Sequence, residues 1–392
     1  MMQVPFHKPY VTEQEIGAVV EAIRSGWLTM GPKTLEFEKR FGEYIFENRA
    51  ASQDKGFAVA VSSGTAALHL ALRVIGLEAG DEVIIPTNTF TATGEVVTYF
   101  GAKPVLCDVE RDTHNMDVSR IEGLITERTK AIIPVHFAGQ PCDMDELVDI
   151  AKEHGLAVVE DAAHALPAWY KGRKVGTIGH LTCFSFYATK PLCTGEGGMV
   201  TTEKGDWARR IKVLRLHGIS RDAWDRYTMK GSWYYEVVEA GYKYNMTDIQ
   251  AALGLAQLGK LEWMWERRKA IARRYTEAFK GVEAIISPVV KPDRESAWHL
   301  YVIKLDLEAL RISRDRFIEE LKERGIGTSV HFIPLHRHPY YRDTCGYRPG
   351  DFPEAEWVYE RCVSLPIYPG MRDEEVEYVI EGVVDVCEEY RR

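Results

Sequence analysis

Lys190 stands in the segment SFYATKPLCTGEGGM, residues 185–199, between a strand-like run and a loop of small residues that ends with three glycines in four places. A solvated lysine needs no such surroundings. A lysine that bonds covalently to a flat ligand does, because only small residues let backbone and ligand share the space. Asp161 follows the apolar AVVE and so falls at the carboxyl end of an expected strand. With Glu160 it forms an acidic pair leaving a buried segment, which is costly unless donors or a cation meet it. Ser63, Gly64, Thr65 and Ala66, in SSGTAAL, sit where a strand gives way to a helix. Free N–H groups and the positive end of the helix dipole make such a turn an anion site, and Gly64 permits close approach. Ser185, five residues before Lys190, offers the same anion a hydroxyl. His164, three residues beyond Asp161, and Phe90, in NTFTAT after EVIIP, supply flat groups for the two faces of a ring.

An amine that forms the covalent bond, a carboxylate for a pyridine nitrogen, a donor-rich turn for a phosphate and flat walls are together what pyridoxal 5′-phosphate requires of a protein. Each residue also has an ordinary use. Lys190 suits a surface ion pair, Asp161 and Ser63 suit helix caps, and His164 and Phe90 suit plain packing. Their order along one sheet is the stronger signal: phosphate turn, aromatic, carboxylate, lysine.

The elements that must position these groups alternate. The strand-like runs 57–62, 82–86, 104–109, 131–136 and 157–162 are separated by helical stretches, so an α/β unit with a mainly parallel sheet is expected, with ligands at the strands' carboxyl ends. Thr12 and Glu15 have capping-box spacing before a helix bearing Ile16, Val19, Val20 and Ile23 at helical intervals. From Thr247 a long helical stretch leads to a smaller unit with HLYVIKL, a helix near 314–324, TSVHF and a last helix after Arg372. We divide the chain as a large α/β domain, 1–255, and a small α+β domain, 256–392.

The 392 residues are more than one core usually serves. A net charge of −9 disfavours nucleic acid or anionic membranes as partners. With no apolar run of signal-peptide or membrane-span length, the expected location is the cytoplasm. Seven cysteines without a CxxC pair support neither a metal site nor a disulfide framework.

The combination SSGTAAL, TFTAT, VVEDAAHA, SFYATK with GEGGM, and GYKYNMTDIQAALGLAQL resembles the DegT/DnrJ/EryC1/StrS family of sugar aminotransferases, over essentially the whole chain from SGWLTMGP to SLPIYPGM. The resemblance implies the aspartate aminotransferase fold, fold type I, and a homodimer whose active sites are completed by the partner subunit. It implies that Lys190 is the Schiff-base lysine, Asp161 the partner of the pyridine nitrogen, and His164 the residue beside the ring. Thr65, Ala66 and Ser185 then match phosphate contacts, in the turn that also holds Ser63 and Gly64, and Phe90 matches the stacking aromatic. Many members have Asn where Lys243 stands and a basic residue where Asn245 stands; one of the two would reach the partner subunit's phosphate, and lysine suits that charge. Thr29 and Met30 match a segment lining the sugar pocket, and His331 a loop against substrate. Arg215, His217, Arg221 or Arg226, and His336 are further candidate cations for a diphosphate, with plain surface charge as the ordinary use of most of them.

The implied reaction moves an amino group from L-glutamate, leaving 2-oxoglutarate, to a nucleotide-linked 4-keto sugar, first a 4-keto-6-deoxy sugar, in glycan biosynthesis. Alternatives are amination at C3 or of a cyclitol, or a sugar dehydratase, though the dehydratases carry histidine in place of the lysine. A dinucleotide-binding protein is disfavoured because GIGTSV lacks the third glycine of its fingerprint and stands late in the chain.

Overall fold

The computed structural model describes residues 2–47, 56–220 and 234–392. Arg221 and Arg226 lie outside the described residues. The five expected runs form β1 (Phe57–Val61), β2 (Glu82–Pro86), β3 (Lys103–Cys107), β4 (Thr129–Ile132) and β5 (Ala157–Asp161). After the short ribbon strands β6 (Trp169–Tyr170) and β7 (Arg173–Lys174), β8 (Leu181–Ser185) and β9 (Gly198–Thr202) complete a seven-stranded sheet ordered β1-β9-β8-β5-β4-β2-β3. Strands β3, β2, β4, β5 and β8 pair in parallel, whereas β9 runs antiparallel to both β8 and β1. Near-continuous apolar sequence in β2 and β5 follows from burial on both faces.

Helices cover those faces. Helices α1 (Glu13–Arg24) and α2 (Pro32–Phe46) precede the sheet; α3 (Gly64–Val74) follows β1, α4 (Thr91–Thr98) follows β2, and α5 (Met144–Glu153) leads into β5. The expected capping interaction opens α1, with the Glu15 carboxylate accepting from the Thr12 N–H and hydroxyl at 2.7 Å each. The face of α1 bearing Ile16 and Ile23 is turned outward, leaving these residues 48% and 52% exposed, while Glu15 is buried. The start of α2 is capped from a distance. Asp248 accepts from the amides of Gly31, Lys33 and Thr34 at 2.7, 2.9 and 2.9 Å, satisfying donors that the helix itself cannot.

Helix α6 (Gly205–Leu214) leads towards α7 (Asp248–Leu258) and α8 (Leu261–Ala278). The stretch expected as one long helix is therefore two, parted at Gly259 and Lys260. The reason is visible in Lys260, whose backbone leaves the helical region and whose ammonium pairs with the buried Glu15 of α1. Leu261 and Met264 still pack in the core under the sheet, whereas Ile271 and Tyr275 enter a second core. That second core gathers around a sheet of β10 (Ile285–Ile286), β12 (Tyr301–Leu305) and β13 (Cys362–Leu365), with β11 (Arg294–Glu295) pairing instead with β6. Helices α9 (Arg314–Glu323) and α12 (Asp373–Glu389) close it. Val4, from the first residues of the chain, also belongs there and bridges Ile326. Conversely Tyr341 of α10 (Pro339–Cys345) and Ala355 of α11 (Pro353–Arg361) pack into the large core. No described helix is long and apolar enough to cross a membrane.

Candidate active site

A cavity of about 490 Å³ opens at the carboxyl ends of the parallel strands, under the first turns of α3 and α4. β5 ends on Asp161 and β8 on Ser185, and both line it. Ser63, Gly64 and Thr65 form its floor at the start of α3; Lys190, His164, Phe90 and His331 supply its walls. Approach between these segments is tight. A Cβ on Gly64 would stand 2.8 Å from the Ser185 Cβ, and one on Gly198 would stand 2.4 Å from the Ser63 carbonyl oxygen. Only glycine lets the α3 turn and the strand ends meet there.

Alternation along β5 separates the acidic pair. Glu160 points into the protein and accepts from His136 Nε2 at 2.9 Å, the Gly179 amide at 2.7 Å and the Thr182 hydroxyl at 2.7 Å. Burial alone would raise its carboxyl, but these bonds outweigh it and hold Glu160 below the ordinary value. Asp161 points into the cavity, and among the described residues its donors are the Thr93 hydroxyl at 2.8 Å and the Ala163 amide at 3.1 Å. Burial pushes its carboxyl up despite both bonds. Such a carboxylate lacks a cation, which is the deficit a protonated pyridine nitrogen fills. Across the cavity, burial lowers the Lys190 ammonium to about 8, opposed by Asp161.

His164 is buried and stacks near Phe332, with ring centroids 5.9 Å apart and planes at 24°. Its Nδ1 lies 3.3 Å from the Ala138 N–H, which donates to it. Burial drives its pKa well down, so the ring is neutral. Phe90, 60% exposed, stands at the mouth, 6.1 Å from Phe332. His331 hydrogen-bonds through Nδ1 to the Ser364 hydroxyl at 2.8 Å.

Other sequence candidates stand elsewhere. Ala66 is buried in α3 and its amide is already capped by the Ser63 hydroxyl at 3.0 Å. Thr29 and Met30 do not line the cavity; the Thr29 carbonyl accepts from the Asp248 amide at 3.1 Å, and Met30 is buried. Lys243 is exposed and Asn245 buried, both on the strand-like stretch whose bridges run to Leu216 and Val61, and neither reaches this chain's cavity. Arg215 is corrected outright. It is fully buried and pairs with Glu38, with the Ala60 carbonyl 2.6 Å from Nη1, so it braces β1 and meets no substrate. His336 is likewise spent, held between the Thr87 hydroxyl at 2.7 Å and Glu356 at 2.6 Å. His217 lies on the surface.

Three residues that sequence reasoning passed over belong to the site: Thr93, Phe332 and His299. Thr93 lies one turn beyond Phe90 in TFTAT, so the same helix start carries both. Phe332 follows His331. His299 opens HLYVIKL and gave no signal beyond its position before a strand.

A sheet of this order with a lysine facing a carboxylate across an anion-binding helix start defines a fold type I enzyme that works with pyridoxal 5′-phosphate, and the residues present fit that group. The chain belongs to the DegT/DnrJ/EryC1/StrS aminotransferase family, whose model matches residues 9–384. It is 50% identical to the spore coat polysaccharide biosynthesis protein SpsC of Bacillus subtilis, over 98% of this chain and 97% of that one. Among solved structures it is similar to PseC of Helicobacter pylori, an aminotransferase involved in pseudoaminic acid biosynthesis, at 29% identity, TM-score 0.90 and 99% and 100% coverage. A Streptococcus pneumoniae sugar aminotransferase in its PLP form matches at 38% identity and TM-score 0.90, covering 99% of each chain. The protein is a pyridoxal-phosphate-dependent sugar aminotransferase.

Proposed function

We propose that the chain transfers the amino group of L-glutamate to a nucleotide-linked 4-keto sugar, with a 4-keto-6-deoxy sugar as the first expectation. The observation that carries the proposal is Lys190, an amine lowered to about 8, facing buried Asp161 in a cavity of small-molecule size. The part of SpsC in spore coat polysaccharide biosynthesis and of PseC in pseudoaminic acid biosynthesis supports a sugar as acceptor. When bound, pyridoxal phosphate supplies an electron sink for the carbon that carries the amine. Thr93 and the Ala163 amide aim the Asp161 carboxylate at the cavity, where it keeps a pyridine nitrogen protonated. Ser63, Thr65 and Ser185 hold the phosphate, and His164 and Phe90 stand beside the ring. Lys190 Nζ accepts the proton from the amine-bearing carbon of the donor and returns a proton when the acceptor is aminated.

The working unit in this proposal is a homodimer. Val11, Ile16, Ile23 and Leu28, each about half exposed on and beside α1, give an apolar face of the kind a second copy covers. Lys243 or Asn245, away from this chain's own cavity, would then serve the partner's phosphate.

The test is direct. L-glutamate alone should abolish the visible band of the purified protein, and mass spectrometry should then find amine on a nucleotide-linked 4-keto sugar. Amination only of 3-keto sugars or of a keto-cyclitol would replace the acceptor proposed here. A Lys190→Ala protein should lose the visible band of the lysine-linked cofactor and all transamination; a normal rate from it would sink the reading.

A further inference from the structure

Behind the cavity wall lies a positive charge with no counter-ion among the described residues. Arg268, on α8, is almost wholly buried, and its Nη1 donates to the carbonyl oxygens of Trp298, His299 and Ile367 at 3.3, 3.3 and 2.8 Å. Its Nε has no partner, and no carboxylate pairs with it among the described residues. A buried guanidinium held only by carbonyls favours an anion nearby. In front of it, His299 lines the cavity, 6% exposed, with Nδ1 buried and unpartnered. The preceding residue, Trp298, has φ of 50°, a left-handed conformation that a bulky residue avoids unless its surroundings hold it there.

We propose that His299, backed by Arg268, receives the α-carboxylate of the amino donor, with His331 beside it. The proposal rests on the aminotransferase reading above, in which the donor is an α-amino acid. That carboxylate is one bond from the carbon whose proton Lys190 takes, so it must lie within a few ångströms of Lys190 Nζ. Among the described residues lining the cavity there is no arginine. Lys190 must be neutral for its own task. Of the imidazoles lining the cavity, His164 is held through Nδ1 by the Ala138 amide and His331 through Nδ1 by Ser364, whereas the His299 Nδ1, shielded from the cavity, has no partner among the described residues, so no hydrogen bond there keeps that ring from turning a nitrogen towards the carboxylate.

The groups acting on His299 are His164, whose ring centroid is 4.4 Å away, together with Lys190, Arg268 and His331. All are basic. Burial first, and then these neighbours, hold its pKa well below the ordinary value, so without an anion the ring is neutral. A carboxylate against it reverses the preference, and binding takes up a proton. Donor affinity therefore falls as pH rises. Asp161 and Glu196 are the acidic groups of the lining, and neither acts on His299 comparably.

The experiment compares wild-type, His299→Leu and His299→Gln holoenzymes in two half-reactions, one with L-glutamate and one with an aminated nucleotide sugar, which has no carboxylate at the reacting carbon. Binding of 2-oxoglutarate to the pyridoxamine form is measured alongside by calorimetry in buffers of different ionisation heat. In the Leu variant the apparent glutamate constant should rise roughly 10- to 100-fold, well beyond any loss in the sugar half-reaction, and proton uptake with 2-oxoglutarate should vanish. The Gln variant should recover part of the glutamate affinity without the proton uptake, and it carries the test if the Leu variant does not fold. Equal losses in both half-reactions, or unchanged 2-oxoglutarate affinity with uptake intact, would overturn the assignment. If wild type ignores glutamate but reacts with another α-amino acid, the donor reading fails while the same comparison with that amino acid still decides His299. Reaction with no α-amino acid at all overturns both.

Discussion

Thr93→Val removes one hydroxyl and keeps the shape of the side chain. Thr93 Oγ1 donates to Asp161 Oδ2 at 2.8 Å, and both groups are buried. Among the described residues, the Ala163 amide at 3.1 Å would remain for that carboxylate. A hydrogen bond to a charged group contributes about 1.5–3 kcal/mol, a factor of roughly 10–150 in an equilibrium. The bond lowers the Asp161 pKa against burial, so its loss raises that pKa further and weakens the hold on a protonated pyridine nitrogen. Cofactor affinity should fall within that range, and kcat should fall with it because the ring is less often protonated. The assays are dialysis against decreasing cofactor with the visible band as readout, and single-turnover reaction with glutamate. Thr93→Ser should restore most of both, since it returns the hydroxyl. A valine variant with unchanged cofactor affinity and unchanged kcat would refute the claim that Thr93 positions Asp161.

The remaining expectations concern other parts of the same machinery. The proton-transfer step should rise with pH through about 8, because Lys190 works as the neutral amine; a flat profile from pH 6 to 9 would contradict the lowered pKa. Gly198→Ala places a Cβ 2.4 Å from the Ser63 carbonyl oxygen, so it should displace the α3 turn and weaken phosphate and cofactor binding at least tenfold by titration, with inorganic phosphate losing protection alike. Glu160 has a folded pKa below its unfolded value, so its charged form stabilises the fold above about pH 4.5 and that contribution is lost as pH falls through the folded pKa. Glu160→Gln should therefore unfold with a shallower acid dependence, followed by circular dichroism. For the homodimer proposed above, Ile16→Asp with Ile23→Asp should lower the mass to that of a monomer by light scattering, and a dimer mass kept by the variant would exclude that face as the interface.

Much of the site was legible because its groups sit at the ends of short, recognisable segments. Lys190 is marked by the glycines after it, Asp161 by the strand before it, and the Ser63–Gly64–Thr65 turn by the change from β to helical periodicity. Thr93 was not legible as a partner of Asp161, because 68 residues separate them and a hydroxyl carries no signal of what it will meet. His299 and Arg268 matter through burial, which only tertiary packing creates. Arg215 misled for the same reason: LRLHG shows a charge but not Glu38, which lies 177 residues away and neutralises it. In the fold, β9 escaped notice because GMVTT continues a glycine-rich loop, and its antiparallel pairing with β8 and β1 has no local signature. The break at Gly259–Lys260 is set by Glu15 on another helix.

The segment that carries His331 and Phe332 is fastened on both sides of the cavity. Ser329 exchanges backbone bonds with Ser364 of the small sheet, at 2.8 and 3.2 Å, while the Phe332 amide reaches Asn88 at 3.1 Å and the Leu335 amide reaches the Thr87 carbonyl at 2.8 Å on the large body. Leu335 and Tyr341 then sink into the large core. A strap riveted at each end cannot act as a swinging door. Discrimination among sugars is then expected of a preformed mould rather than of a closing movement.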